Sequence, residues 1–352
     1  MSDHDRAASY RWYRCATSEA HVNLVVPPTM GQSARELLEP YIAVSQIAPE
    51  LDDAAWRVRA PDGDADAGDH DLVAVTPDGE PTTEIRFSPS RREVLLHLPA
   101  DEGFMTQNAV RFVRILLRLS HASREEIFIH GGMVHRHGRG AAILGDKRAG
   151  KTSTVLAAAM SGAAFVSNDD LSLRQSEAGW TGRGWPRSIS VRKDTFPALG
   201  VSLREELQSR NMSLRHPANA SVDELLPAGE RNVGAVLLYA SELGRVFDAP
   251  LMTESPVDAF VFPRFVDDPR PKLRRLSPVE TAERVAANLL PNPVKYSDFL
   301  LPYFPFHADR RDQTDLVRKA AAMVPGFELR QRFDALHAGA RAVARLLEKG
   351  TQ

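Results

Sequence analysis

Apolar residues in the first third of the chain recur with the periods of both strands and helices. Two alternating segments, Thr83–Phe87 and Glu93–Leu98, are separated by Ser-Pro-Ser-Arg-Arg, which predicts a β-hairpin. Apolar positions three and four apart over Thr106–Leu119 predict a helix, and we interpret the arginines between them as its solvated face. Arg35–Val44 is a shorter helix candidate interrupted by a proline. These elements predict a small α+β domain over residues 1–124.

After this domain the pattern changes to short apolar runs that alternate with a helical one. Ile127–Val134 and Ala141–Leu144 predict two strands joined by a turn at Arg136–Gly140. Thr152–Met160 consists of good helix formers, and Ala163–Ser167 predicts a further buried strand. A strand, turn, helix and strand in this order are typical of α/β nucleotide-binding sites.

The remaining chain continues the alternation of strands and helices. We predict strands at Val233–Tyr239 and Ala259–Val261 and helices at Pro278–Leu290 and His337–Leu347. Ser277, with Glu280 three residues later, predicts a capping box at the start of the first of these helices. Residues 125–352 are therefore expected to form an α/β domain with a mixed sheet and flanking helices.

Composition and charge exclude several classes of function. The 44 Lys and Arg and 46 Asp and Glu leave a formal net charge of −2, so no global basic field favours nucleic acid or anionic lipid. A single cysteine, Cys15, excludes an internal disulfide framework and a cysteine-built zinc site. The apolar runs are too short for a membrane span, and the first residues lack the apolar core of a signal peptide. We expect a cytoplasmic protein that binds neither nucleic acid nor membrane.

An eight-residue match to the phosphate-binding pattern G-x-x-x-x-G-K-[ST] is the strongest local signal. Glycines let the backbone curl so that N–H groups point at phosphate oxygens, and the following helix directs its positive end at the anion. In this pattern Lys151 reaches the β- and γ-phosphates, and the Thr152 hydroxyl binds Mg²⁺. The residues expected to bind ATP are Gly145, Asp146, Lys147, Arg148, Ala149, Gly150, Lys151, Thr152 and Ser153.

Two adjacent carboxylates, Asp169 and Asp170, follow the predicted strand that comes after this helix. A carboxylate beside the phosphate loop would hold Mg²⁺, usually through water, and a second can accept the proton of an attacking hydroxyl. Adjacent side chains of an extended segment point to opposite sides. One metal partner and one base are therefore easier to build here than two metal ligands.

The segment Ile127–Leu173 resembles the HPr kinase/phosphorylase family and its single-function relatives. The matching parts are the pair His130-Gly131, a strand, the phosphate loop Gly145–Thr152, a helix, and a strand followed by Asp169-Asp170. A weaker match continues through Pro186–Ser190, which resembles the next strand of those relatives. The resemblance implies ATP-dependent phosphorylation of a hydroxyl, classically of a protein serine, in a P-loop fold shared with phosphoenolpyruvate carboxykinase.

The resemblance also implies roles for single residues. Lys151 and Thr152 would serve ATP and Mg²⁺, and His130 would line the catalytic centre. Asp169 would be the base, and Asp170 the carboxylate linked to the metal.

Two departures from the family pattern concern the base and the acceptor. The family spacing from the loop lysine to the first Asp is one residue shorter than that from Lys151 to Asp169, so Asn168 is an alternative at the base position. The glycine-rich segment that docks HPr has no convincing copy in this chain. HPr is therefore not the expected substrate, and phosphorylase activity is not expected.

Further cations and histidines are candidates for the site. Phosphoryl transfer needs positive charge at the developing negative charge, and Arg187 is the cation that we include in the predicted catalytic set. Its alternative interpretation is a surface charge, and the same choice applies to Arg192, Lys193 and Arg264. A zinc site built from His130, His135 and His137 is disfavoured because no Cys or nearby acid completes four ligands.

These observations predict a kinase of the HPr-kinase-like type that uses ATP and Mg²⁺. We expect the γ-phosphate to pass to a serine of a peptide, such as a natural-product precursor, or of a protein. A small-molecule hydroxyl is the second choice of acceptor, and the domain over residues 1–124 is where acceptor recognition would lie. The alternative from another class is a nucleotide-binding regulatory protein that transfers nothing. The sequence leaves open whether the chain forms a homo-oligomer.

Overall fold

The computed structural model describes residues 10–49, 55–61, 70–76, 80–98, 101–122, 126–219, 234–268, 270–290, 297–304 and 310–349. The chain folds as two units. The first consists of the described parts of Met1–Arg124, His216–Ala218 and Asn292–His307, and the second of the rest. The two later segments of the first unit were not part of the predicted range 1–124. The acidic stretch Pro61–Asp71 has no apolar period, which predicts an exposed loop, and its residues 62–69 lie outside the described residues.

A seven-stranded sheet organises the described part of the first unit, in the order β3-β1-β2-β4-β7-β6-β5. The predicted hairpin is confirmed, because β6 and β7 pair antiparallel. Between β2, β4 and β7 the pairing is parallel. The strands are β1 (Arg11–Ala16), β2 (His21–Val26), β3 (Ala43–Ile47), β4 (Trp56–Arg59), β5 (Asp71–Val75), β6 (Thr83–Ser88) and β7 (Glu93–Leu98).

Helix α2 (Glu102–Ala122) confirms the predicted helix and extends it at both ends. The interpretation of its arginines as a solvated face is wrong for two of them, since Arg111 is 9% and Arg118 is 4% exposed. Arg111 donates to Asn108 Oδ1 and to Glu80 Oε2, both at 2.5 Å. Such partners offset the cost of burying the guanidinium, and a helical period does not reveal them.

The helix predicted over Arg35–Val44 is wrong in its bounds. Helix α1 covers Pro28–Leu38, and the chain enters β3 at Ala43. Glu39 has an extended backbone, with ψ at 145°. This ending follows from Pro40, because the residue before a proline is disfavoured in helical conformation. At the other end, Pro28 begins the helix, where its missing N–H costs nothing.

A nine-stranded mixed sheet organises the described part of the second unit. Its order is β15-β12-β11-β8-β9-β16-β18-β17, with β10 paired to β8, and a separate pair is formed by β13 and β14. The strands are β8 (Ile127–Arg136), β9 (Arg139–Leu144), β10 (Ala164–Ser167), β11 (Asp170–Ser176), β12 (Gly179–Gly184), β13 (Ile189–Arg192), β14 (Ala235–Leu238), β15 (Glu254–Pro256), β16 (Ala259–Phe265), β17 (Lys272–Arg275) and β18 (Gly326–Gln331). The predicted strands at 127–134, 141–144, 163–167 and 259–261 are confirmed.

Three neighbouring strands of this sheet, β9, β16 and β18, run parallel. Their carboxyl ends therefore meet at one edge, which is where ligands bind in α/β folds. The predicted strand around Pro186–Ser190 begins later, at Ile189, because β13 pairs with β14 from that residue onward.

Helices flank the second sheet. Helix α3 packs against α9 and contacts β8 and β9, while α7 packs against α8. Val285 of α7 and Val317 of α8 belong to a buried cluster with Leu144 and Phe262 of the sheet. The helices are α3 (Lys151–Met160), α4 (Thr195–Ala198), α5 (Leu203–Ser209), α6 (Ala240–Phe247), α7 (Pro278–Ala286), α8 (Arg310–Met323) and α9 (Leu336–Lys349). Short 3₁₀ helices cover Asp298–Tyr303 and Phe333–Ala335.

The helices predicted after residue 150 are confirmed, with one change of length. The capping box of Ser277 and Glu280 is present at the start of α7. This helix ends at Ala286 rather than Leu290, because Leu289 forms a β-bridge with Ile129 of β8. None of the helices in the described part of the chain combines the length and apolar composition of a membrane span. The fold class, a mixed α/β unit with flanking helices preceded by a smaller α+β unit, is confirmed.

Candidate active site

The predicted phosphate loop lies between the end of β9 and the start of α3. Its backbone enters the left-handed region three times, at Gly145 (φ 146°), Arg148 (φ 69°) and Gly150 (φ 102°). Gly150 has a second reason to be glycine, since a Cβ there would lie 2.7 Å from Cζ of Phe265. The glycines thus let the loop curl tightly over the amino end of α3, where backbone N–H groups are free to bind an anion.

Lys151 is held inside this loop. It is 7% exposed, and its Nζ donates to the carbonyl oxygens of Gly145 at 2.7 Å and Asp146 at 3.1 Å. Burial lowers the pKa of Lys151 from its ordinary value, while the nearby carboxylates of Asp169 and Asp146 raise it. The ammonium of Lys151 is therefore held by the backbone of the loop and is not exposed on the surface.

The turn between β10 and β11 brings the acid pair to the start of α3. Asn168 Nδ2 donates to Thr152 Oγ1 at 3.3 Å. Asn168 is 4% exposed, and its Oδ1 has no hydrogen-bond partner among the described residues. A buried oxygen of this kind beside a hydroxyl suits a bound cation or a bound water.

The two carboxylates have different surroundings. Asp169 is partly exposed and lines a cavity at the loop. Asp170 is 1% exposed, and its Oδ1 accepts from Arg187 Nη1 at 2.9 Å. Its backbone carbonyl accepts from Ser167 Oγ at 2.5 Å. Asp169 thus faces the cavity, whereas Asp170 is engaged in an ion pair with Arg187.

His130 of β8 lies opposite Asp170 in the strand register. Burial is the main cause that lowers the pKa of His130; Asp169 opposes this effect, and Lys151 and Arg187 add to it. The neutral imidazole is therefore favoured. Gly132, two residues on, allows the β10–β11 turn to approach, since a Cβ there would lie 2.8 Å from the Ser167 carbonyl oxygen.

Asn288, just after α7, contributes to the site and was not predicted. Its Oδ1 accepts from the N–H of Gly145 at 3.1 Å, and its carbonyl oxygen accepts from the N–H of His130 at 2.8 Å. Its Nδ2 donates to the Arg284 carbonyl oxygen at 2.8 Å. One residue thus fixes the first glycine of the loop and the backbone of His130. No local sequence pattern indicates this contact, because Asn288 is 143 positions from Gly145.

A cavity of about 540 Å³ brings most of the predicted residues together. Of the predicted set, it is lined by His130, Lys147, Arg148, Gly150, Lys151, Thr152, Ser153 and Asp169. Arg192 also lines it and forms a two-bond ion pair with Asp194, at 3.0 and 2.6 Å. Among the described residues, Lys193, Arg187 and Arg264 are not in its wall. Its size is that of a small-molecule site.

The other histidines take part in different contacts. His135 Nδ1 lies 2.8 Å from Ser255 Oγ, and His137 Nε2 lies 4.0 Å from Glu348 Oε1. Neither lines the cavity. Within the described ranges, no group of three or more His, Cys, Asp and Glu side chains could hold a metal ion. The magnesium ligands predicted here are of another kind, a hydroxyl and a single carboxylate.

Comparisons with known proteins add little. No protein-family model matches the chain, and no curated protein matches it. Among solved structures, the HPr(Ser) kinase/phosphatase from Coxiella burnetii is similar over 63% of this chain and 99% of that chain. The identity is 12% and the TM-score 0.29. A likeness this weak says nothing about activity, so function is inferred from the geometry of the site.

Proposed function

We propose that this protein is a kinase that transfers the γ-phosphate of ATP to a hydroxyl group, first of all to a serine of a peptide or protein. One observation carries the proposal. The amino end of α3, the ammonium of Lys151 and the carboxylate of Asp169 line a single cavity. This set supplies an anion site, a cation and a general base, which are the parts that phosphoryl transfer requires.

The phosphates of ATP would bind to the backbone N–H groups of the loop, with Lys151 at the β- and γ-phosphates. Lys147 and Arg148, which line the same cavity, add positive charge there. Mg²⁺ is proposed at the start of α3, with Thr152 Oγ1 and Asn168 Oδ1, which is partnerless among the described residues, as direct oxygen ligands. Asp170, which is buried and bound to Arg187, would be linked to the ion through water. When bound, Mg²⁺ would neutralise phosphate charge.

Asp169 is proposed as the base because it is the member of the acid pair that lines the cavity. Its carboxylate would accept the proton of the acceptor hydroxyl as the oxygen forms a bond to the γ-phosphorus. The bond from that phosphorus to the bridging oxygen breaks, and ADP leaves with the electron pair. Asp170, with Arg187 as its partner, would hold the turn that presents Asp169.

The test is transfer of labelled phosphate from γ-labelled ATP with Mg²⁺ to a panel of seryl peptides and small alcohols. The Asp169→Asn variant should transfer phosphate about 10²–10⁴-fold more slowly than the wild type, because this is the usual contribution of a general base. Its affinity for ATP should be unchanged. Lys151→Ala sets the background. If ATP binds but no acceptor gives transfer or hydrolysis above that background, the protein is a nucleotide-binding regulator and the kinase proposal fails.

Asp170→Asn is the matched comparison for the choice of base. An active Asp169→Asn enzyme together with an inactive Asp170→Asn enzyme would show that the carboxylates have the opposite roles. Peptide acceptors that work where alcohols do not would support the peptide assignment, and the reverse result would favour a small-molecule kinase.

A further inference from the structure

Two phenylalanines lie at the edge of the second sheet where the phosphate loop emerges. Phe265 is the last residue of β16, which runs parallel to β9 and so ends beside the loop. Phe333 follows β18 by two residues, and β18 runs parallel to β16. Both rings line the cavity that Lys151 and Asp169 line. The parallel pairing of three strands is therefore what brings aromatic rings to the proposed phosphate site.

The two rings form a defined pair against the loop. Their centroids are 5.3 Å apart, and their planes are at 87°, an edge-to-face arrangement. Phe265 packs on the backbone of Gly150, where no Cβ intervenes. Both phenylalanines are only partly buried. Phe265 is thus fixed by the loop, and ring surface remains available toward the cavity.

The lining of the cavity therefore combines two kinds of side chain: the cations Lys147, Arg148 and Lys151, and the two aromatic rings. A ligand that uses both has several negative charges and a flat aromatic group. A nucleoside triphosphate has both, whereas an inorganic polyphosphate has only the charges.

We infer that Phe265 and Phe333 form a shelf on which the nucleobase stacks, with Phe333 as the main contact. This inference rests on the proposed function, because it assumes that phosphates bind at the loop. Stacking on an aromatic ring is tolerant of base identity, because every base has a π-face. The site should therefore accept both purine nucleoside triphosphates with similar affinity.

The test is calorimetric titration of the full chain with ATP, GTP and inorganic tripolyphosphate, each with Mg²⁺. Phe333→Ala should weaken ATP and GTP by about 5- to 150-fold, which is the loss of one base–aromatic stack. It should change the affinity for tripolyphosphate by less than about 2-fold, since the loop is intact. Phe333→Trp should restore nucleotide affinity. Tyr303→Ala, which removes a 47% exposed aromatic residue of the first unit, is the control and should change none of these affinities.

The inference is overturned if Phe333→Ala weakens the binding of all three ligands equally, or if it leaves the affinity for ATP and GTP unchanged. A different result is that the wild type binds ATP and Phe333→Ala weakens that binding as expected, while the wild type transfers phosphate to no acceptor. That result would support nucleobase stacking on the shelf and refute the kinase proposal. If the wild type binds neither ATP nor tripolyphosphate, both are wrong.

Discussion

Glu93 in the first unit and Asp169 in the second are both carboxylates beside cations, but their surroundings differ. Glu93 is 3% exposed, with His70 Nε2 at 3.1 Å and with Arg57 Nε and Arg59 Nη1 at 3.8 Å each. Asp169 is partly exposed and faces a cavity that it shares with Lys151. In the first region the charges neutralise one another. In the second they remain accessible to a ligand, and this access distinguishes a site from a structural cluster.

The buried charges of the first unit should therefore govern stability and not activity. Replacing Glu93 by Gln removes the buried carboxylate that His70, Arg57 and Arg59 all approach. Removing one partner of a buried ion pair costs about 3–5 kcal/mol, and because these arginines are partly exposed we expect about 3 kcal/mol. Urea denaturation measures the loss, and phosphate transfer per folded molecule should stay at the wild-type rate.

Glu39→Gln is the matched control in the same unit. Glu39 pairs with Arg35 at 3.1 Å, and both side chains are about half exposed, at 45% and 51%. Exposed pairs of this kind contribute about 0.3–0.5 kcal/mol. Equal losses in the Glu93 and Glu39 variants, or a large loss of transfer in the Glu93 variant, would contradict the distinction between the two regions.

A second expectation concerns the pH dependence of stability, through His216 of the first unit. Burial lowers the pKa of His216 to about 4, with Arg111 adding to the shift and Glu80 opposing it. The unfolded state binds a proton near pH 6.5, before the folded state does, so stability falls as pH falls from about 6.5 to about 4. The full effect is about 3 kcal/mol, since each pKa unit corresponds to about 1.4 kcal/mol. His216→Gln should flatten this slope in urea denaturation between pH 4 and 7; an unchanged slope would contradict it.

A smaller effect, of about 1 kcal/mol, is expected for Asn288 of the second unit. Asn288→Ala removes the acceptor of the Gly145 N–H and the donor to the Arg284 carbonyl oxygen, and it leaves the backbone bond to His130 in place. Of the two lost bonds, only the one to Gly145 holds the phosphate loop; its loss, about 1 kcal/mol, should weaken ATP binding by about 5-fold and change the rate at saturating ATP much less. Glu283→Ala, an exposed change on α7, serves as control. A fall in saturated rate without a change in KM for ATP would contradict this positioning role.

The parts of the site that are contiguous in the chain could be predicted from the sequence. The eight residues from Gly145 to Thr152 match the phosphate-loop pattern without a gap. The glycines that curve the backbone, the lysine and the first residue of the helix are close together in this segment. The hairpin of β8 and β9 and the position of Asp169 follow from short apolar runs in the same segment. Local spacing determines each of these features, so a single sequence is enough to find them.

Other parts depend on pairing between distant strands, which no local pattern reveals. Phe265 and Phe333 reach the cavity only because β9, β16 and β18 are parallel neighbours. Asn288 reaches the loop because the chain after α7 bridges to β8. For the same reason the sequence predicts Arg111 on the solvated face of α2, whereas it is buried: its partner Glu80 lies 31 positions away. A helical period indicates which face is apolar but cannot show that a charge on another face has a buried partner.

The proposed kinase activity depends on the loop at the amino end of α3 binding the phosphates of ATP through Lys151. Calorimetric titration of Mg²⁺–ATP into wild type, Lys151→Ala and the exposed control Lys319→Ala measures this binding. Loss of a charged hydrogen-bond donor of about 1.5–3 kcal/mol predicts a Kd that rises about 10- to 150-fold in Lys151→Ala. The control should match the wild type. Equal affinity in wild type and Lys151→Ala, with both proteins folded by circular dichroism, would contradict this role of Lys151.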